Sequence, residues 1–88
     1  MPEFACFKIT GEVQGVGMRF LISRYAQDNG FKGWVKNASD GSVECCLNCI
    51  NKEIDEFTSW LKLNFDIQNI TAEQIKIDTE FDQFEIKY

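Results

Sequence analysis

Residues 33–44 have the sequence GWVKNASDGSVE, and this stretch decides the fold. Apolar and polar side chains alternate along its first part, a pattern typical of a strand with one buried face. Asp40 and Gly41 then form a favourable pair for a tight turn, because glycine readily adopts the positive φ that such turns need. Alternation resumes after the turn. The segment therefore predicts a hairpin of two strands, at 31–37 and 42–48.

The sequence on either side of this hairpin predicts the remaining elements. Apolar residues alternate over 4–10, which predicts a first strand. Apolar residues at three- and four-residue steps over 18–26 predict a helix, and a second helix is expected after Asn51. Two further strands are predicted, at 70–77 and 83–88, the last one short. This order predicts an α+β, ferredoxin-like (βαββαβ) sandwich, with two helices packed on one face of an antiparallel sheet.

The length and composition of the chain fit one small globular domain. Its 88 residues suffice for a single domain over 1–88, and 44% of them are hydrophobic. No apolar run is long enough to span a membrane, and the first residues do not resemble a signal peptide. The net charge is −5, whereas nucleic-acid modules usually present a basic surface. We therefore expect a cytoplasmic monomer with no nucleic-acid or membrane partner.

Four cysteines raise the question of a disulfide or a metal site. Cys46 and Cys49 have C-x-x-C spacing, but a zinc site would need two more ligands, and the chain has no histidine. Cys6 is remote in sequence. Cys45 and Cys46 are adjacent, so in a strand Cys45 would face the core and Cys46 would face away from it. We expect reduced structural thiols and no metal, with redox or metal chemistry as the alternative.

A glycine-containing segment, GEVQGVGMR at residues 11–19, leads from the first strand into the first helix. Amides at a helix N-terminus point outward at the positive end of the helix dipole. Gly15 and Gly17 would let successive N–H groups converge on an oxyanion, and Arg19 would add a planar cation suited to phosphate or carboxylate. Taken alone, a tight turn in which Arg19 pairs with an acid explains the segment equally well. Asn37 alone would be interpreted as a turn-capping residue.

Together the two segments resemble the signature stretches of the acylphosphatase family, G-x-V-Q-G-V-x-F-R and G-W-V-x-N-x-x-D-G-x-V-E. The resemblance is strong over residues 9–44 and weaker in the rest of the chain. It implies a ferredoxin-like fold, a catalytic arginine at Arg19 and a catalytic asparagine at Asn37. It also implies a phosphate-binding loop that comprises Gln14, Gly15, Val16, Gly17, Met18 and Arg19.

Two departures from the family pattern stand out. Met18 replaces the usual Phe at what we interpret as a packing position. After the second helix the family usually has Gly-Pro, whereas this chain has NFDIQNI at residues 64–70. That difference leaves open the path of the loop and the start of the fourth strand.

The resemblance implies hydrolysis of a small-molecule acyl phosphate to a carboxylate and inorganic phosphate, with phosphate as both product and inhibitor. Arg19 and the loop amides would bind the phosphoryl group, Asn37 would orient the water, and neither a metal nor another cofactor is implied. The main alternative is a non-catalytic module of the same fold that binds phosphate or another anion. RNA binding on the sheet is disfavoured by the charge. A carbamoyl-phosphate domain of a larger hydrogenase-maturation protein is disfavoured by the length of the chain.

Overall fold

The computed structural model of the protein describes residues 3–15, 17–77 and 81–87. Within these ranges the chain forms one five-stranded sheet, in the order β4-β1-β3-β2-β5, and two helices. Neither helix is long and apolar enough to cross a membrane. The predicted ferredoxin-like α+β fold is confirmed. In chain order the elements are β1 (Glu3–Glu12), α1 (Met18–Asp28), β2 (Gly33–Asn37), β3 (Val43–Leu47), α2 (Lys52–Asn64), β4 (Asp66–Lys76) and β5 (Phe84–Lys87).

The direction of the last strand corrects one part of the prediction. β5 runs parallel to β2, with Gly33 opposite Phe84, whereas the β1–β3, β1–β4 and β2–β3 pairs are antiparallel. The sheet is therefore mixed and not antiparallel throughout. β4 and β5 lie at opposite edges of the sheet, so no tight hairpin joins them and β5 is not obliged to run against its neighbour.

The fourth strand begins at Asp66, earlier than the predicted start at residue 70. The pairing of β1 with β4 shifts at Thr10 and Gly11, and this shift leaves Gln68 as an extra residue in β4. Ile67 and Ile70 are therefore both packed against the core although they are three positions apart. The bulge removes the two-residue alternation by which a strand is predicted, which is why the sequence did not show this start.

The face of the sheet that the helices cover carries the core. The rings of Phe7 and Phe57 lie 4.9 Å apart, which joins β1 to α2, and the rings of Tyr25 and Trp60 lie 4.5 Å apart, which joins the two helices. The predicted inward positions of the hairpin are confirmed. The side chains of the hairpin that are fully buried are Val35, Val43, Cys45 and Leu47.

The opposite face carries polar side chains and a disulfide. Cys6 and Cys46 lie directly opposite each other in the β1–β3 pair, and they form a disulfide bond. The expectation of four reduced thiols is therefore wrong for these two. Cys46 belongs to the face away from the core, as predicted, but it is only 4% exposed. The two cysteines are 40 residues apart in sequence, and they meet only because β1 neighbours β3 in this register.

Candidate active site

The loop between β1 and α1 contains two glycines in the left-handed region and leads into the N-terminus of α1. Gly15 has a φ of 80° and Gly17 a φ of 77°, both in the left-handed region that favours glycine. Gly17 is the N-cap of α1, and its carbonyl accepts a hydrogen bond from the N–H of Leu21 at 3.0 Å. The N–H groups of the first helical turn, which have no partner within the helix, lie at the positive end of the helix dipole.

The first turn of α1 is suited to an anion. Among the described residues around this helix start, no side chain caps the helix and no acid lies in the first turn. Within this described part of the chain, neither a capping side-chain oxygen nor an acid of the first turn competes with a phosphate or carboxylate group for these amides. Of the predicted loop residues, Val16 lies outside the described part of the chain.

The two predicted catalytic residues line one pocket. Arg19 comes from the first turn of α1, Asn37 from the end of β2, and both side chains are half-buried. They meet because α1 packs beside β2 and β5. The pocket has a volume of about 210 Å³. Its described lining residues are Val13, Gly15, Gly17, Met18, Arg19, Phe20, Asn37 and Ile86.

The apolar part of this pocket contains three side chains that were not predicted as site residues: Val13, Phe20 and Ile86. Val13 and Met18 are each 1% exposed, which confirms Met18 as a packing residue. Phe20 is 62% exposed and Ile86 is half-buried, so both remain accessible from the pocket. Phe20 lies outside the apolar stripe of α1. That exclusion from the core-facing stripe is the sequence signal that identifies it.

Asn37 is followed by a turn that is held by side chains as well as by its backbone. The N–H of Ala38 donates to the carbonyl of Ser42 at 2.8 Å. One carboxylate oxygen of Asp40 accepts from the backbone N–H and the hydroxyl of Ser42, at 3.0 and 2.6 Å. The other lies 2.7 Å from Nζ of Lys8. The hydrogen bonds from Lys8 and Ser42 hold the pKa of Asp40 well below its ordinary value.

Gln14 connects the loop to this turn. Its side-chain nitrogen Nε2 donates to the backbone carbonyls of Ala38 and Ser42, both at 2.9 Å. The sequence placed Gln14 in the phosphate-binding loop, and the structure shows that its side chain is directed toward the hairpin. It therefore fixes the distance between the segment that carries Arg19 and the turn that follows Asn37.

The two remaining cysteines are buried thiols. Burial raises the pKa of Cys45 far above its ordinary value and raises the pKa of Cys49 to about 11. Both are therefore protonated at neutral pH, and a protonated thiol is a poor nucleophile and a poor metal ligand. In the part of the chain that the structure describes, no three cysteine or acidic side chains are grouped as a metal site would require.

Comparison with known proteins gives a consistent result. The sequence model of the Acylphosphatase family matches residues 5–86. The chain is 33% identical over 84 residues to an acylphosphatase from Oceanobacillus iheyensis, covering 91% of this chain and 92% of that protein. The crystal structure of an acylphosphatase from Bacillus subtilis superposes with a TM-score of 0.85 and 27% identity, covering 98% and 99% of the two chains.

A longer protein contains a similar domain. The crystal structure of full-length HypF superposes on 98% of this chain with a TM-score of 0.79 and 30% identity, but the match covers only 12% of the HypF chain. The same fold therefore occurs both as a small protein and within a much larger one.

Proposed function

We propose that this chain, which belongs to the acylphosphatase family, binds the phosphoryl group of its substrate with Arg19 and the amides at the start of α1, and orients the attacking water with Asn37. As an acylphosphatase it hydrolyses the carboxyl-phosphate bond of acyl phosphates and releases a carboxylate and inorganic phosphate. The observation that carries the assignment of roles is that Arg19 and Asn37 line one pocket at the N-terminus of α1.

The phosphoryl group requires positive charge on several sides. In the transition state its charge is spread over three equatorial oxygens. Arg19 offers a planar fork of donors that matches a phosphate, and the helix start adds backbone N–H groups at a positive dipole end. The positions of Gly15 and Gly17 in the pocket lining support the assignment of residues 14–19 as the phosphate-binding loop.

The leaving group explains why no acid catalyst is needed. It is a carboxylate, whose conjugate acid has a pKa of about 4, so it departs with the electron pair of the broken phosphorus–oxygen bond without being protonated. Arg19 and the helix dipole supply the charge stabilisation that the phosphoryl group requires. We therefore propose a reaction that uses no metal or other cofactor.

The attacking water must be held in line with that bond. The side chain of Asn37 has both a donor and an acceptor, so it can hold a water while leaving it uncharged. The water oxygen forms the new bond to phosphorus, and a phosphate oxygen of the substrate accepts its proton, so that no protein base is required. Holding the water in line with the phosphorus raises the reaction rate, because the two no longer have to meet by chance in the correct orientation.

The cytoplasmic location and the monomeric state stay predictions. Disulfides persist mainly in oxidising compartments. The Cys6–Cys46 bond of a cytoplasmic protein would therefore have to withstand cellular reductants.

The proposal is tested by measuring the hydrolysis of benzoyl phosphate through the loss of its ultraviolet absorbance. The measurement is made on the native protein, on Arg19→Ala and on Asn37→Ala. Inorganic phosphate should inhibit competitively. Arg19→Ala should raise the inhibition constant of phosphate and lower kcat, because Arg19 contacts the phosphoryl group before and during reaction. Asn37→Ala should lower kcat and change the inhibition constant only a few-fold. Loss of one preorganised contact typically costs about 10²–10³ in rate, and we expect at least that for each.

Both variants should stay folded by circular dichroism, since neither side chain belongs to the core cluster. A folded Asn37→Ala protein with a normal kcat would contradict the role of Asn37. A folded Arg19→Ala protein with normal turnover would remove the assignment altogether. Binding of phosphate by the native protein without any hydrolysis would favour the alternative of a non-catalytic anion-binding module.

A further inference from the structure

We infer that Phe20 and Ile86 form the acyl-binding side of the pocket and make the enzyme selective for acyl phosphates with an uncharged, apolar acyl group. This inference rests on the proposed function, because it assigns the part of the same pocket that the phosphoryl group does not occupy. It names a substrate class that the family assignment leaves open.

The exposure of Phe20 is the first observation. Phe7 and Phe57 pack ring against ring in the core, whereas Phe20 is 62% exposed beside Arg19. Phe20 lines the pocket together with Ile86, which β5 places next to Val35 on the helix-covered face. Two accessible apolar side chains from different elements therefore converge at one pocket. An apolar ligand group would cover surface that is otherwise exposed to water.

The size of the pocket is the second observation. Its volume of about 210 Å³ is far larger than a single water requires. A phosphoryl group, with one phosphorus and its oxygens, occupies only part of that space. The carboxyl carbon and the first atoms of the acyl group fit in the remainder. A longer acyl group reaches beyond this space, and Phe20 and Ile86 are the accessible apolar side chains among the described lining residues.

The charges around the pocket are the third observation. Among the described residues that line it, Arg19 is the only one with a charged side chain. Lys36 and Lys87 are close in sequence to Asn37 and Ile86, but their Nζ atoms lie over the ring of Trp34, at 5.5 and 5.1 Å, on the opposite face of the sheet.

An acyl group that carries a carboxylate would therefore place that charge against Phe20 and Ile86. The one cation among the described lining residues, Arg19, is already required by the phosphoryl group. This arrangement disfavours dicarboxylic acyl phosphates. The two sides of the pocket therefore differ in chemistry: Arg19 gives the phosphoryl side a positive charge, and Phe20 and Ile86 make the acyl side apolar.

The test compares kcat/KM for benzoyl, acetyl and succinyl phosphate. The native enzyme should prefer benzoyl over succinyl phosphate by about tenfold or more, a typical effect of one matched apolar contact. Phe20→Ala should lower the ratio of benzoyl to acetyl phosphate about tenfold, and Phe20→Lys should raise the ratio of succinyl to benzoyl phosphate. Leu63→Ala is the matched control, because Leu63 is 85% exposed on α2 and does not line the pocket.

The outcomes separate this inference from the proposed function. If Phe20→Ala changes kcat/KM for all three substrates by the same factor, or if the native enzyme shows no preference, the acyl assignment is wrong while the activity stands. If the native enzyme hydrolyses none of the three, the proposed function fails and this inference fails with it. A shift of the ratios in both Phe20 variants, with Leu63→Ala like the native enzyme, supports the inference.

Discussion

The two segments that form the pocket are held in place by different means. The loop before α1 depends on backbone conformation, since Gly15 and Gly17 both have positive φ. A Cβ at either position would meet no atom within 4 Å, so neither glycine is required by close packing. The turn after Asn37 is held by side-chain hydrogen bonds of Gln14 and Asp40 in addition to the backbone bond between Ala38 and Ser42.

This difference determines how each segment should respond to mutation. In the loop, replacing one glycine changes the backbone conformation that presents the amides, and no other interaction compensates for that change. A turn held by several hydrogen bonds keeps the others when one is removed. The loop should therefore be sensitive to single substitutions, and the turn should tolerate them better.

Gly17→Ala should give the largest effect of the substitutions that test this difference. Its φ of 77° costs an L-residue roughly 1–2 kcal/mol. Displacement of the amides should also lower kcat/KM by about tenfold to a hundredfold, since small misplacements of catalytic groups are costly. Gly30→Ala is a matched control: Gly30 has a φ of 73°, equally open surroundings and a position at the far end of α1.

Chemical denaturation and kinetics of both variants separate strain from function. We expect similar losses of stability but a large loss of activity only for Gly17→Ala. Equal activity in the two variants would show that the conformation of the loop does not control the reaction.

Gln14→Glu should have an intermediate effect. The substitution keeps the shape of the side chain but removes both N–H donors and directs carboxylate oxygens at the carbonyls of Ala38 and Ser42. We expect kcat to fall about tenfold, with a smaller change in the phosphate inhibition constant, because Gln14 acts through the position of the turn after Asn37. Gln27→Glu is the control, because its Nε2 donates to Ser23 within α1.

A different pattern would refute this role for Gln14. If phosphate affinity fell as much as kcat, Gln14 would act on the phosphate loop itself and not on the turn. If Gln14→Glu and Gln27→Glu had the same kinetics, the link between loop and turn would have no functional importance.

Asp40→Asn should have the smallest effect, and that effect should depend on pH. The hydrogen bonds from Lys8 and Ser42 lower the pKa of Asp40 in the folded protein. The carboxylate therefore stabilises the fold above its ordinary pKa of about 4, and this contribution is lost as pH falls through the lowered value. The difference in thermal stability between native protein and variant should be present in full at pH 6 and decrease steadily as pH falls below about 4.

Because the Lys8–Asp40 pair is exposed, added salt should also reduce this difference. Lys8→Gln should show part of the same pH dependence, since it removes the same ion pair. A difference between native protein and Asp40→Asn that stayed constant over the whole pH range would show that Asp40 acts only through the shape of its side chain.

The hairpin could be predicted because its determinants are local, whereas Arg19 and Asn37 were predicted to act together only through the family resemblance. Alternation of side chains defined the buried face of residues 31–48, and Asp40-Gly41 defined the turn. Asn37 ends β2 and Arg19 lies in the first turn of α1, so the two residues line one pocket because α1 packs beside β2. The role of each residue in catalysis still rests on the family resemblance and on the tests above.

The features that could not be predicted depend on partners distant in sequence. The Cys6–Cys46 bond requires the register between β1 and β3, and the early start of β4 is hidden by a bulge opposite Gly11. Phe20 was missed for a different reason. Its position outside the buried stripe of α1 distinguishes it in the sequence, but only the structure shows that a pocket lies beside it.

The position of the disulfide has a consequence for the integrity of the site. Residues 6 and 46 close a covalent ring that contains α1, β2 and both Arg19 and Asn37. The two cysteines are 40 positions apart in sequence. A ring of that size restricts the unfolded chain, and the lost chain entropy stabilises the folded protein by roughly 4 kcal/mol. A single backbone cleavage within the ring opens it without releasing a fragment. The two halves of the site therefore remain tethered to each other after such a cut, until the sulfur–sulfur bond is itself reduced.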